Sequence, residues 1–224
     1  MLIQDDDRKV LVEEFKALEQ KVKLLFFSQE INCPYCKETG DILAEVAELS
    51  DKISLVEIPL LLEGEKAAKF GIDRAPAIVV TDAYERDSGV VFYGIPAGYE
   101  FISLIGAIRD IGQGPTELSD EVIKEVKKID QPVTLKVFVT PTCPYCPKSV
   151  RVAHQMASIN EHIRAECVEA TEFPDLARKY RVMGVPRTVI NESVHLEGAH
   201  PDQAVLASIR KALSEAEGQT PIIN

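Results

Sequence analysis

Along the first half of the chain, apolar positions switch between a helical and an extended rhythm. In residues 6–20, Val10, Leu11, Phe15 and Leu18 recur at helical spacing behind an acidic start, which predicts an amphipathic helix. The apolar run KVKLLFF (21–27) predicts a buried strand. Ile42, Leu43, Val46, Ala47 and Leu49 predict a helix that ends near Ser50, ISLVEI (53–58) predicts a strand, and Glu65 to Phe70 a short helix stopped by Gly71. AIVVT (77–81) and VVFY (90–93) read as strands joined by a polar turn, and Gly98 to Ile111 as a closing helix.

The stretch GQGP (112–115) breaks the pattern, because Gly and Pro punctuate there. Beyond it the same series returns. Ser119 is placed to cap a helix running through Ile129, with Asp120 and Glu121 in its first turn. TLKVFV (134–139) is a strand, followed by a helix through about Ile159, the strand region HIRAECVEA and a helix from Phe173 to Tyr180. RTVI and SVHL are strands, and a last helix starts at about Asp202. Each half therefore predicts the order αβαβαββα. The expectation is an α/β chain of two modules, residues 1–114 and 115–224.

Composition narrows the functions this architecture serves. The chain of 224 residues is 46% hydrophobic and 27% charged, with a formal net charge of −11. That balance argues against nucleic acid or an anionic membrane as the main partner, since both need basic surface. No run approaches the roughly 18 apolar residues of a membrane helix. The acidic start MLIQDDDRKV lacks the pattern of a secretory signal, and the terminal PIIN is no retention tetrapeptide. A cytoplasmic location is expected. The absence of Trp and the presence of only four Asn point toward a thermophilic source.

Four of the five cysteines form two copies of one motif, Cys33-Pro34-Tyr35-Cys36 and Cys143-Pro144-Tyr145-Cys146. The copies lie 110 residues apart, and Pro76 and Pro186 follow their first cysteines by the same 43 residues. Two residues between cysteines place both sulfurs at the first turn of a helix. Free N–H groups and a partial positive charge there favour the thiolate, the species that attacks disulfides. A C-x-x-C pair in a βα setting of this kind is a redox signature. Lys37 and Lys148, just past the motifs, are candidates for further thiolate stabilisation. Two other readings of the cysteines stand beside this one: a four-thiolate zinc site, and a purely structural disulfide in each half. Cys167 sits in an apolar strand and reads as a buried thiol. His154, His162, His195 and His200 show no metal spacing.

The segments NCPYCK (32–37), DRAPAIVV (73–80), FVTPTCPYCP (138–147) and VMGVPRTVI (182–190) resemble the thioredoxin/glutaredoxin superfamily. The full chain is similar to the two-module, glutaredoxin-like protein disulfide oxidoreductases of hyperthermophiles. The resemblance implies two tandem thioredoxin-like folds, each a central mixed β-sheet flanked by helices. It implies Cys33 and Cys143 as attacking thiols, and Cys36 and Cys146 as resolving thiols. Pro76 and Pro186 become cis-prolines that dock substrate, with Tyr35 and Tyr145 shaping the surface. No cofactor or metal is implied beyond the redox-active cysteine pairs. The implied activity is reduction, formation and isomerisation of protein disulfides, with protein dithiols and disulfides as substrates and a thioredoxin-reductase-type electron donor. A redox chaperone that binds peptides, and a dedicated electron carrier to one reductase or peroxidase, are the alternatives. Thioredoxin's buried Asp has no counterpart in LLFF or VFV, so Glu57 and Glu169 in the next strands are candidate proton acceptors. Both also read as surface carboxylates at strand ends. Nothing near 95–101 or 198–204 matches glutaredoxin's glutathione-binding residues.

Overall fold

The computed structural model describes residues 3–115 and 117–218. Met1 and Leu2 of the acidic start and the terminal PIIN lie outside the described residues. The first half runs α1 (Asp5–Phe15), β1 (Val22–Ser28), α2 (Cys36–Ala47), β2 (Ile53–Pro59), α3 (Gly64–Lys69), β3 (Ala77–Asp82), β4 (Val90–Tyr93) and α4 (Glu100–Gln113). The second half repeats the order as α5 (Asp120–Val126), β5 (Val133–Val139), α6 (Cys146–Ser158), β6 (Ile163–Glu169), α7 (Pro174–Lys179), β7 (Arg187–Ile190), β8 (Val194–Glu197) and α8 (Asp202–Gly218).

The strands form one eight-stranded mixed sheet, ordered β2-β1-β3-β4-β6-β5-β7-β8. The halves are joined by parallel pairing of β4 with β6, from Val90 opposite Ala165 to Tyr93 opposite Val168. Side chains alternate between the two faces, as the pleat requires. Leu24 and Phe26 enter a large core with Leu43, Leu104, Val150 and Ile209, so α2, α4, α6 and α8 share one face. Leu25 and Phe27 enter a smaller core with Phe70 and Tyr180, beside α3 and α7. With both faces covered, β1 reads as a continuous apolar run rather than an alternating one.

The junction is tightly made. Gly89 has φ +69, and a β-carbon there would lie 2.2 Å from the Ile163 carbonyl oxygen. Arg151 on α6 reaches Asp110 on α4, with Nη2 to Oδ1 at 2.9 Å, and both side chains are buried.

Two local expectations are corrected. The first helix ends at Phe15 instead of continuing to residue 20, because the Glu19 and Gln20 N–H groups turn to the Gly112 carbonyl at 3.0 and 3.1 Å. Ser119 starts α5 without a side-chain cap. Its hydroxyl and its backbone N–H both donate to Asp202 at the head of α8, each at 2.9 Å.

Candidate active sites at one edge of the sheet

Each motif follows a strand of the sheet interior. Strand β1 runs parallel to β5, through antiparallel β1–β3 and β3–β4 pairs and parallel β4–β6 and β5–β6 pairs. Both motifs therefore emerge at the same end of the sheet. Four strand spacings of ~4.8 Å separate their strands, about 19 Å.

Cys33–Cys36 and Cys143–Cys146 each form a disulfide. In both, the second cysteine is the first residue of a helix and the tyrosine is its N-cap. The Cys36 N–H donates to the Cys33 carbonyl at 3.3 Å and the Cys146 N–H to the Cys143 carbonyl at 3.4 Å, so each motif closes a turn that runs into its helix. Cys36, Cys143 and Cys146 are buried and Cys33 is half-buried. The Gln29 N–H lies 3.4 Å from the Cys36 Sγ. Each pair is closed on itself, so the four-thiolate arrangement has no counterpart. Among the described residues no group of three or more His, Cys, Asp or Glu side chains is placed to hold a metal ion.

Ala75–Pro76 and Val185–Pro186 are both cis. Phe27 pairs with Ala77 and Phe138 with Arg187, so each of these prolines lies at the motif end of its module. Pro34, Tyr35 and Pro76 line one groove of about 430 Å³. Its far wall comes from the second half of the chain, through Thr171, Glu172 and Phe173. Arg74 ties that wall down: its guanidinium bonds Asp73, reaches Asp175 Oδ2 at 3.2 Å and lies over the Phe173 ring at 5.7 Å. At the second motif Tyr145 is 71% exposed.

The thioredoxin domain family matches residues 133–211. The N-terminal domain of alkylhydroperoxide reductase AhpF from Enterococcus faecalis superimposes with a TM-score of 0.87 and 30% identity, covering 92% of this chain and 99% of that one. A protein disulfide oxidoreductase from Aeropyrum pernix gives a TM-score of 0.87 at 28% identity, covering 98% of this chain and 96% of that one. The chain belongs to the family of two-module thioredoxin-like proteins. Among curated relatives, the alkyl hydroperoxide reductase AhpF of Pseudomonas aeruginosa is 30% identical over 175 residues, which cover 77% of this chain and 31% of the relative. The chain thus spans about a third of the length of the curated relatives it matches.

Within this family frame the candidate carboxylates separate. Glu57 is the fifth residue of edge strand β2, exposed, and accepts the Ser28 hydroxyl at 2.7 Å. Glu169 is the seventh residue of interior strand β6, buried, and accepts the Thr171 hydroxyl and the Glu172 N–H, each at 2.6 Å. They are not equivalent positions: Glu57 lies opposite Phe26, the fifth residue of β1, whereas Glu169 lies opposite Val139, the seventh residue of β5. Lys37 lies along its helix against Asp41 at 2.7 Å, which raises its pKa, so its charge is shared with that carboxylate.

A third carboxyl was not singled out by the sequence. Glu100, at the start of α4, is 2% exposed. The neighbouring Tyr99 N–H donates to the Pro141 carbonyl at 2.9 Å, two residues ahead of Cys143. Burial pushes the Glu100 carboxyl up to about 7, against hydrogen bonds from Ser103 Oγ at 2.6 Å and Cys167 Sγ at 3.8 Å. Cys167 is free and buried, and burial together with the Glu100 charge raises its pKa well above the usual thiol value. Glu172, on the groove wall, is likewise pushed up to about 7 by burial, opposed by the Ile95 N–H at 2.6 Å. His154 is buried between the halves, its Nε2 on the Val91 carbonyl, and burial holds its pKa down at about 3. No described helix is long and apolar enough to cross a membrane.

Proposed function

We propose that the chain is a protein dithiol–disulfide oxidoreductase with two exchanging sites, one in each module (1–114 and 115–224). The observation that carries this reading is the repeated constellation of a C-P-Y-C disulfide at a helix start with a cis-proline at the same end of the sheet. In the reducing direction the Cys33 or Cys143 thiolate attacks one sulfur of a substrate disulfide. The other substrate sulfur leaves as a thiolate and takes up a proton. Cys36 or Cys146 then attacks the mixed disulfide and releases the second substrate thiol. Two electrons pass to the substrate and the motif ends as a disulfide. Run backward, the same steps oxidise a dithiol, and attack without resolution allows isomerisation.

Pro76 and Pro186, with Tyr35 and Tyr145, form the docking surface for an extended substrate segment. Glu100, buried at the head of α4 beside the Tyr99 contact to the Pro141 carbonyl just ahead of Cys143, is the proton-exchanging group proposed for the second site, its carboxyl pushed up to about 7 by burial. Glu57, exposed on the edge strand and bonded by Ser28, and Glu169, buried and bonded by Thr171 and Glu172, are the other carboxylates proposed for proton exchange. A thioredoxin-reductase-type flavoprotein is the proposed electron donor. A cytoplasmic setting fits dithiols that turn over in a reducing pool.

Trapping tests this reading. Cys36→Ser and Cys146→Ser variants should each accumulate a mixed disulfide with an oxidised test protein, through Cys33 and Cys143 respectively. Absence of an adduct at both sites, seen by mass spectrometry, would refute it. A second reading is favoured by the relatives named as alkyl hydroperoxide reductases: a dedicated electron carrier to a peroxide-reducing partner. Turnover with such a partner and none with general protein disulfides would establish it instead.

A further inference from the structure

The offset of 110 residues makes the two substrate rims comparable position by position. Ahead of Pro76 stand Ala68, Gly71, Asp73 and Arg74. The matching positions ahead of Pro186 hold Arg178, Arg181, Met183 and Gly184. At the first site the cation is Arg74, and it is engaged by Asp73, Asp175 and Phe173. At the second site a β-carbon on Gly184 would meet nothing within 4 Å, and Met183 is 92% exposed.

Here a groove of about 570 Å³ opens between the end of β6, α7 and the chain leading to Pro186. Ala170, Ala177, Val182 and Met183 give it an apolar floor, and its only charged lining residues are Arg178 and Arg181. Both arginines are exposed, and neither guanidinium has an ion-pair partner among the described residues. In a chain of net charge −11 this is a local reversal of sign. Arg181 also holds φ +51, where the matching Gly71 has φ +60. Both residues close their helices, the Val182 N–H reaching the Ala177 carbonyl and the Ile72 N–H the Ala67 carbonyl, each at 2.8 Å, so an arginine stands where glycine is the usual helix-ending residue.

We propose that the second site selects protein disulfides flanked by an acidic, apolar segment. One apolar side chain of the extended substrate packs on Ala177, Val182 and Met183, and neighbouring carboxylates face Arg178 and Arg181. The first site, whose rim is filled by Arg74 and its carboxylate partners, does not share this preference. The assignment rests on the reading of Cys143–Cys146 as an exchanging dithiol.

The test uses the full chain carrying Cys33→Ser and Cys36→Ser, reduced, against two synthetic peptide disulfides. One is flanked by leucine and two glutamates, the other by leucine and two lysines. The acidic peptide should react about tenfold faster at low salt. That gap should shrink at about 0.5 M salt, where the screening length falls well below 10 Å. Arg178→Glu with Arg181→Glu should invert the preference. Arg181→Gly, which restores the residue found at position 71, should lower it with the fold intact. Equal rates for the two peptides, or a preference that survives the double reversal, would overturn the assignment. So would a rate per molecule that falls with protein concentration, the mark of a second copy of this chain in the groove. Bis(2-hydroxyethyl) disulfide separates the two levels. If it is reduced while the peptides are not discriminated, only the substrate assignment falls; if it is not reduced, the exchange reading falls with it.

Discussion

Glu100→Gln is the substitution whose effect follows most directly from the structure. The carboxyl is buried, its Oε1 has no hydrogen-bond partner, and its pKa is raised from 4.5 to about 7. A native pKa above the unfolded value means that the fold binds this proton more tightly than the unfolded chain does. The group's stabilising contribution is therefore complete below pH 4.5 and is lost as pH rises through 7. A shift of this size corresponds to about 3 kcal/mol at the high-pH limit. Between about pH 5 and pH 8 the linkage relation gives a loss of about 2–3 kcal/mol from this residue alone. The neutral amide removes the titration while Ser103 and Cys167 keep an oxygen to donate to. Urea unfolding of wild type and variant at both pH values isolates the effect, because any constant cost of the substitution cancels in the difference. The variant should gain about 2–3 kcal/mol on wild type across that interval. A stability difference that does not change with pH would refute the account of Glu100 as a carboxyl held neutral by burial.

Other outcomes are equally specific. Asp110→Ala should destabilise by about 3 kcal/mol, because buried Arg151 would lose its buried carboxylate and keep only the more exposed Glu117, at 3.1 Å; the urea midpoint reads this. Gly89→Ala should destabilise by more than about 2 kcal/mol, from the left-handed backbone and from the β-carbon's collision with the Ile163 carbonyl. Phe26→Ala removes a fully packed ring of the larger core and should lose about 3–5 kcal/mol in the same assay. Alkylation of Cys143 in reduced protein by iodoacetamide should change its pH profile in Glu100→Gln, whereas Cys33 keeps its profile.

Much of the fold was legible because both modules obey the same local rules. LLFF in β1 and VFV in β5 are apolar at successive positions, which fits strands covered on both faces. The motifs and the prolines repeat at one interval, so the candidate sites could be placed from spacing alone. The joining of the two sheets was not legible. VVFY in β4 reads as an ordinary buried strand whether its outer edge meets helices, solvent or β6. The one hint is in the second strands. Edge strand β2 carries Ser54 and Glu57 outward, while β6 neutralises its own charges, Arg164 bonding Glu166 at 2.7 Å and Lys136 joining at 3.6 Å. Glu100 escaped notice for a related reason. A glutamate in the first turn of a helix is common and favourable in water. Its burial arises only when the second module closes over α4, a contact no local pattern encodes.

The central claim, two independent exchanging dithiols in one chain, is tested most directly by dithiothreitol-driven reduction of insulin. The comparison is between wild type, Cys33→Ser, Cys143→Ser and the double variant. The account predicts that each single variant retains activity and that only the double variant loses it. No activity in the wild-type chain would contradict it.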